Sequence, residues 1–449
     1  MWYHKAVYEQ QHLKIWPGAS HTKASGNMGY RVLVVGKGGR EHAICWKLAQ
    51  SAVVDALYCA PGNPGIAANA HCLPIQPMDI PGIVAAVRQH DIDLVVVGPE
   101  DPLAAGITDA LEVAGTLVAG PSMAAAQLEA SKSFANGVMA AANVPTAQSI
   151  TVSNRDEGVR AIGALLNAHG VVVKADGLAA GKGVVVADSA AEAITALDAM
   201  LVGGSLGDAG RTIVIEERLV GPEVSILCLS DGTTIVPLQP SCDYKRAFDN
   251  DEGPNTGGMG NYTPTSYVDD AMMARIKTEI LQPTIAEMAK RGTPMKGVLF
   301  AGLMICEDGP RVIEFNCRFG DPETQVVLPT LDADLGVLLH AVATGTLGDQ
   351  PRPRSRGAAV GVVLASAGYP ENYPKGMPIS GLDETGDALV FHAGTARDGE
   401  RIVTDGGRVL CVVALGETVG EARTAAYAAA NQISFEGAWR REDIALRES

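Results

Sequence analysis

Between residues 30 and 120 short apolar strands alternate with helices, and few folds accommodate that order. Strands are expected at Arg31–Gly36, Val53–Cys59, Asp93–Gly98 and Leu117–Gly120, with helices at Arg40–Gln50, Ile80–His90 and Pro102–Ala114. Strands separated by helices lie parallel and are joined by right-handed crossovers. Ligands of such sheets bind beyond the carboxyl ends of the strands. Those ends here are Gly36-Lys-Gly-Gly-Arg40, Pro61-Gly-Asn-Pro64 and Gly98-Pro-Glu100.

The pattern then changes. Residues 121–142 read as helical, and a small α/β unit runs from Thr146 to about Val220. It holds strands at Val171–Lys174, Gly183–Ala187 and Thr212–Glu217 and a helix at Ala190–Val202. Strands at Glu223–Leu229, Thr233–Leu238, Val298–Cys306 and Val312–Arg318 follow, interrupted by a long helix near Asp269–Lys290. Arg352-Pro-Arg-Ser-Arg356 reads as a linker to strands Ala358–Ser366, Ala388–Gly394 and Arg408–Leu415 and a helix Val419–Ile433. A chain of 449 residues suggests roughly three domains of ~150 residues each. The divisions expected are 30–130, 131–350 with a lid at about 146–220, and 351–449. Residues 1–29 read as a leader or added extension, because Trp2, Tyr3, Lys5, His12, Trp16, Pro17 and Lys23 follow no period and there is no apolar signal core.

A formal net charge of −16 argues against nonspecific nucleic-acid binding and against docking on anionic membranes. Anionic substrates must then be captured by local lysines and arginines. No apolar run approaches the ~18 residues of a membrane span. The eight cysteines form no C-x-x-C pair and no zinc spacing, which points to a reducing cytoplasm.

Four segments carry chemistry. Val312-Ile-Glu-Phe-Asn-Cys-Arg318 sets Glu314, Asn316 and Arg318 on one strand face, with Phe315, Cys317 and Phe319 on the other. A carboxylate and an amide oxygen suit a hard cation that shares phosphate oxygens, and Arg grips phosphate as a planar fork. A half-exposed strand with a surface ion pair fits the same three residues. In Lys174-Ala-Asp-Gly-Leu-Ala-Ala-Gly-Lys-Gly183 two lysines frame glycines able to close over phosphates, although the spacing is not that of a Walker A loop. Glu216 and Glu217 end an apolar strand, so one can face a cleft and the other solvent. Asp243-Tyr-Lys-Arg246 and Gly253-Pro-Asn-Thr-Gly-Gly-Met-Gly260 combine positive charge with close backbone approach, or form a simple Ω-loop. The first glycine turn, Gly36–Arg40, is a poor dinucleotide fingerprint. Gly203-Gly-Ser-Leu-Gly207 lacks the strand–elbow–helix context of a hydrolase, Asn261-Tyr-Thr263 is a sequon of little meaning in a cytosolic chain, and the histidines lack metal-ligand spacing.

Taken together, GGREHA at 38–43, KADGLAAGKGV at 174–184, GPNTGGMG at 253–260 and EFNCRFGDPETQ at 314–325 resemble the phosphoribosylamine–glycine ligases, ATP-grasp enzymes of de novo purine synthesis. The resemblance spans everything after the leader. It implies an α/β chain with a Rossmann-like N-terminal domain, an ATP-grasp domain with its lid, and a small β-rich C-terminal domain. It also implies a cytoplasmic monomer or weak homodimer that uses ATP, glycine and 5-phosphoribosylamine with Mg²⁺ or Mn²⁺.

Residue roles follow from the same resemblance. Glu314 and Asn316 would hold the metal, and Arg318 would meet the transferred phosphoryl group. Lys132, Lys174, Gly177, Gly181, Lys182 and Gly183 would hold the ATP phosphates. Glu216, Glu217 and Leu219 would meet adenine, and Glu223 the ribose. Gly38, Gly39, Arg40, Glu100, Asp321, Glu323, Thr324 and Gln325 would bind phosphoribosylamine. Asp243, Lys245, Arg246, Asn255 and Thr256 would line the reacting centre. Two departures stand out: Tyr244 occupies a position expected to be His in many relatives, and Lys37 replaces a small polar residue. Three rivals remain: another ATP-grasp ligase or carboxylase, an NAD-dependent dehydrogenase, and a noncatalytic nucleotide sensor.

Overall fold

The alternation of the first hundred residues forms one parallel sheet, in the order His71–Cys72, Val54–Pro61, Tyr30–Gly36, Leu94–Val97, Leu117–Ala119. The chain crosses the sheet one way from Tyr30–Gly36 and then returns to add strands on its other side. A crevice therefore opens beyond Gly36 and Val97, where such sheets bind ligands. The computed structural model describes residues 29–178, 183–203 and 207–448. The leader reading of residues 1–28, Gly181 and Lys182 of the lysine-framed loop, and the centre of the 203–207 glycine pattern lie outside the described residues.

Two expected helices are each divided, and both breaks bear on the site. The helix expected at Pro102–Ala114 is two, Glu100–Ala104 and Ile107–Val113, separated by Gly106 at φ 87°. The first begins at Glu100 itself. The helical stretch 121–142 becomes Met123–Ala130 and Lys132–Ala142, with Ser131 extended between them. Ser131 caps the second helix, its Oγ accepting the Phe134 N–H at 3.1 Å. Lys132 thereby starts a helix at the mouth of a cleft. That helix ends on Asn143 at φ 53°, a left-handed conformation that Asn tolerates better than residues without a short polar side chain. Asn143→Ala is expected to destabilise the protein by ~1 kcal/mol in chemical denaturation, with Asn143→Gly close to neutral.

The lid is an antiparallel sheet in the order Ser149–Val152, Ile213–Glu217, Val171–Ala175, Val184–Ala187. Helices Arg155–Leu165 and Ala190–Leu197 cover it, and Val152, Ile162, Val171, Val173, Leu197 and Ile215 give it a core of its own. The central antiparallel sheet runs Ile235–Pro237, Glu223–Asp231, Lys296–Cys306, Gly309–Asn316. Its edge strand stops at Asn316, two residues before the expected end. The alternation survives that end: Phe315, Cys317 and Phe319 are buried, while Glu314, Asn316 and Arg318 are half-exposed on the opposite face. The long helix interrupting these strands is Asp270–Arg275 and Gln282–Lys290 with a π-helical turn, Ile276–Leu281, ahead of Pro283. Proline lacks the N–H of a regular helical ladder, which accounts for the irregular turn.

The last sheet is not built from the C-terminal segment alone. Its order is Cys242–Asp243, Gly260–Thr263, Ala358–Ala365, Arg408–Gly416, Leu389–His392. Two strands from residues 242–263 thus join three from beyond residue 357, and the glycine-rich 253–260 stretch ends on the inserted strand. Residues 246–255 form a hairpin, Arg246–Phe248 with Glu252–Asn255, rather than an Ω-loop. The segment read as a linker contains Arg354–Ser355, paired with Leu331–Asp332. One apolar cluster joins Val34 and Ile44 to Leu227, Phe300 and Val326 and to Val363, Phe391 and Val413. The N-terminal sheet, the central sheet and the C-terminal sheet therefore pack on common ground. Among the described residues no helix is long and apolar enough to cross a membrane.

Candidate active site

A cavity of about 130 Å³ lies between the lid and the central sheet. Nine of the residues singled out in the sequence line it: Glu100, Lys132, Lys174, Gly177, Gly183, Glu216, Glu314, Asn316 and Arg318. They arrive from the N-terminal crevice, the capped helix, the lid hairpin and the central edge strand. A larger cavity of about 560 Å³ lies next to it, around Asn143–Ala147, Arg275 and Arg311. Its arginines are already paired, Arg275 with Glu279 at 2.8 Å and Arg311 with Asp308 at 2.5 Å, so the smaller cavity is where the chemistry concentrates.

Glu314 sits opposite Gly302 across the strand pair. A Cβ at Gly302 would lie 3.3 Å from Glu314 Cγ, so glycine leaves room for that side chain. Burial raises the Glu314 pKa, but Lys245, Lys174, Lys132 and Arg318 outweigh it and hold the carboxyl below its ordinary range. Lys245 Nζ stands 3.8 Å from Glu314 and also pairs with Glu223. Burial opposes the charge of Lys245; Glu223 and then Glu314 overcome it and keep the ammonium protonated. Lys174 is buried, 2.7 Å from Glu216 and 2.9 Å from the Ile313 carbonyl. Lys132 donates to the Gly177 carbonyl at 3.2 Å and has no ion pair within 4 Å among the described residues. Burial, with Lys174 nearby, lowers its pKa. Glu314, Asp176 and Glu216 oppose that shift from a distance, and a half-buried ammonium with no carboxylate in direct contact among the described residues suits an anionic ligand.

Arg318 is gripped from two sides, its Nε 3.2 Å from Glu100 and its Nη2 3.1 Å from Glu129. Glu129 also accepts the Cys317 N–H at 2.7 Å. The sequence reading missed Glu129, although it is the lone charge in the otherwise alanine-rich helix Met123–Ala130. Asn316 Oδ1 accepts a long bond from Arg318 at 3.4 Å. Among the described residues no cluster of three or more His, Cys, Asp or Glu is arranged to cage a metal. One ionised carboxylate beside one amide oxygen does fit Mg²⁺ or Mn²⁺, which take their remaining oxygens from phosphates and water.

Other singled-out residues lie around this centre rather than in it. Glu217 turns to the opposite face from Glu216, accepting the Gln148 N–H at 2.9 Å and pairing with Arg311 at 3.4 Å. Its side chain therefore does not reach the cavity. Leu219 is half-buried in the connection to Glu223–Asp231. Glu223 serves Lys245 instead of standing free for a ribose. Asp243 accepts the Tyr244 N–H at 2.7 Å, and burial, reinforced by Glu323, pushes its carboxyl well up. Gly258, at φ 105°, permits this approach: a Cβ there would come within 2.6 Å of Asp243 Oδ1 and 2.5 Å of Pro322 Cδ. Arg246 donates to the Gly253 carbonyl at 2.7 Å, and Asn255 is exposed across the hairpin from it. Thr256 Oγ1 donates to the Lys245 carbonyl at 2.9 Å.

The N-terminal crevice meets residues 319–325 directly. Asp321 accepts the Arg40 N–H at 3.3 Å and the Gln325 amide at 2.9 Å. The Arg40 guanidinium is buried against Glu41 at 2.6 Å and the Phe319 carbonyl at 3.1 Å, so it braces the crevice and is not a free phosphate fork. Gly38 donates its N–H to Glu41 at 2.5 Å, and a Cβ at Gly39 would lie 2.6 Å from the Gln325 amide nitrogen. Glu323 accepts from Ser225 Oγ at 3.2 Å, and Thr324 donates to the Gly320 carbonyl at 2.7 Å. Gln325 Oε1 is buried with no partner among the described residues, an acceptor left for a ligand donor or a water. Arg408, which the sequence reading also missed, reaches in from the last sheet to Asp321 Oδ1 at 3.2 Å and to the Gly257 carbonyl. It has no local motif, and only the tertiary fold brings it here.

Comparison with known proteins agrees with this geometry. The phosphoribosylglycinamide synthetase N domain matches residues 30–129, the ATP-grasp (A) domain of the same family residues 130–324, and its C domain residues 359–447. The chain is 46% identical to a phosphoribosylamine–glycine ligase of Rhodopirellula baltica, over 92% of this chain and 97% of that protein. It is 49% identical to one of Streptomyces coelicolor, over 93% and 99%. A solved phosphoribosylamine–glycine ligase from Thermotoga maritima superposes with a TM-score of 0.81 at 33% identity, covering 92% of this chain and 100% of that one. The biotin carboxylase domain of a Hydrogenobacter thermophilus 2-oxoglutarate carboxylase, solved with MgADP, ADP and bicarbonate, shares the fold at 16% identity and a TM-score of 0.69, covering 92% of each chain.

Proposed function

The chain belongs to the phosphoribosylglycinamide synthetase family, and from that premise we infer that it is an ATP-dependent ligase joining glycine to 5-phosphoribosylamine in de novo purine synthesis. The products are glycinamide ribonucleotide, ADP and phosphate. The observation that carries the reading is the meeting of Lys132, Lys174, Glu314, Asn316 and Arg318 around one cavity under the lid. It favours ligation over hydride transfer, because those groups serve phosphates and a cation, not a nicotinamide.

A carboxylate resists attack by an amine. Phosphorylation of the glycine carboxylate by ATP makes a mixed anhydride with a good leaving group, which the phosphoribosylamine nitrogen then displaces. No enzyme nucleophile is needed; the protein orients reactants, neutralises charge and excludes water. Glu314 and Asn316 would hold Mg²⁺ or Mn²⁺, which offsets phosphate charge when bound. Lys132 and Lys174 hold the ATP phosphates, with Gly177 and Gly183 at the ends of the loop over them. Arg318 meets the transferred phosphoryl group. Glu216 and the strand edge leading to Leu219 face adenine. Lys245, Arg246, Asp243, Asn255 and Thr256 border the acyl phosphate. Gly38, Gly39, Asp321 and Gln325 receive phosphoribosylamine, with the unpartnered Gln325 oxygen available to a ribose hydroxyl or the amine.

In this reading the parallel sheet is the phosphoribosylamine domain, residues 131–350 the ATP-grasp unit, and residues 351–449 a C-terminal domain that closes the site from outside. The protein acts in the cytoplasm as a monomer or weak homodimer, without nucleic-acid or membrane partners.

ADP release measured with each substrate omitted in turn tests the reaction. Turnover is expected only with glycine and phosphoribosylamine both present; bicarbonate-dependent ADP release would overturn it in favour of a carboxylase. Arg408→Met, which frees Asp321 and the 257–258 carbonyls, is expected to raise KM for phosphoribosylamine about tenfold, equivalent to ~1.4 kcal/mol. KM for ATP should stay unchanged in the same steady-state measurements.

A further inference from the structure

The hairpin bearing Arg246 and Asn255, with Lys245 at its base, is not anchored by a larger sheet. Among the described residues its two strands pair only with each other, and residues 251–255 are exposed. Its turn places Asn250 and Asp251 at φ 60° and 57°, a left-handed pair that persists where its surroundings hold it. The C-terminal segment supplies that hold. Asn250 donates its N–H to Asp443 at 2.9 Å, and Glu442 donates its N–H to Asp249 at 2.8 Å.

Arg441 is the centre of this contact. Its side chain is fully buried, the largest such among the described residues. Two of its nitrogens grip Asp443, each at 2.7 Å. The third donates to the Arg246 carbonyl and to Asp251, both at 3.0 Å. The guanidinium lies 4.7 Å from the centroid of the Tyr244 ring, a cation–π distance. Arg447 pairs with Asp251 from outside, and the Tyr244 hydroxyl accepts the Ala445 N–H at 3.0 Å. Tyr244 is thus a buried seat for the C-terminal arginine, and its hydroxyl also ties down the Ala445 backbone.

We propose that Arg441 is a positioning residue for the ligation. By fixing the Arg246 carbonyl, Asp251 and the Tyr244 ring it sets where Lys245 and Arg246 present their cations. The inference rests on the proposed function, which puts those two cations beside the acyl phosphate. Arg441 joins the buried Tyr244 ring to the hairpin through the Arg246 carbonyl and Asp251, and a displacement near 1 Å at a reacting group can lower a rate about 10²-fold.

The test uses the full chain with Arg441→Met, Arg441→Lys and Arg246→Met side by side. Arg441→Met is expected to lower kcat between about tenfold and 10²-fold, with KM for ATP within roughly twofold of wild type, because Lys132, Lys174 and Glu216 sit on other elements. Arg441→Lys should recover only part of kcat, since an ammonium cannot make the bidentate grip. A folded Arg441→Met with wild-type kcat, while Arg246→Met is impaired, would overturn the proposal. Wild-type kcat in Arg246→Met would instead overturn the placement of that cation beside the acyl phosphate, and the proposal with it. If Arg441→Met fails to fold, Asp251→Asn decides: it keeps the left-handed turn and weakens the clamp. A severalfold lower kcat with unchanged ATP KM supports the proposal, and an unchanged kcat ends it.

Discussion

Replacing Glu314 by alanine is expected to lower kcat by on the order of 10²–10³-fold, the range seen when one preorganised electrostatic group is removed from a reacting centre. Folding should change little, for a reason visible in the pairing. Lys245 keeps Glu223, Lys174 keeps Glu216, and Arg318 keeps both Glu100 and Glu129. Only Lys132 loses the carboxylate that most raises its pKa. The pH dependence has a definite sign. The folded-state pKa of Glu314 lies below its unfolded value, so its contribution to stability is fully present above the ordinary carboxylate range and is lost as pH falls through the folded value. The small difference in Tm between wild type and Glu314→Ala should therefore shrink on acidification. Metal dependence supplies the second check: removal of divalent cations should stop the wild-type reaction. Full activity of Glu314→Ala at low Mg²⁺ would refute the metal role.

The parts of the site that were legible in the sequence are those written as local patterns. Period-two alternation placed Glu314, Asn316 and Arg318 on one face, and they remain there although the strand itself ends at Asn316. Adjacent acids at a strand end assigned Glu216 and Glu217 to opposite faces, but not which one turns inward. Helix breaks were harder to see. Ser131 lies between the alanine-rich Met123–Ala130 and a stretch holding Ser133, Asn136 and Gly137, and its capping bond shows why Lys132 begins a new helix. What could not be read were partners distant in the chain. Glu129 meets Arg318 at a separation of 189 positions, and Arg408 meets Asp321 at a separation of 87. Strands Cys242–Asp243 and Gly260–Thr263 were hidden for the same cause: they are short, and their sheet is completed by residues beyond 357. Arg40 is a different case: the resemblance groups it with the phosphoribosylamine residues, and in the fold its guanidinium pairs with Glu41 and the Phe319 carbonyl.

Lys174→Met is expected to have the largest effect on stability, and a double substitution separates that effect from catalysis. Lys174 is 4% exposed and Glu216 7% exposed, with the ammonium 2.7 Å from the carboxylate. Removing the lysine alone strands a buried carboxylate, which costs ~3–5 kcal/mol. The lid has its own core, so the loss should appear in the lid as faster amide exchange of Val171–Ala175 and Ile213–Glu217 as well as in Tm. Adding Glu216→Gln removes the stranded charge, and most of the lost stability should return. ATP recognition should not return with it. If Lys174 binds phosphate, both the single and the double variant will show KM for ATP raised at least about tenfold, since a charge-assisted contact to phosphate is worth ~1.5–3 kcal/mol. A double variant that regains both stability and wild-type KM for ATP would reduce Lys174 to a counter-ion for Glu216 and leave Lys132 to hold the phosphates alone.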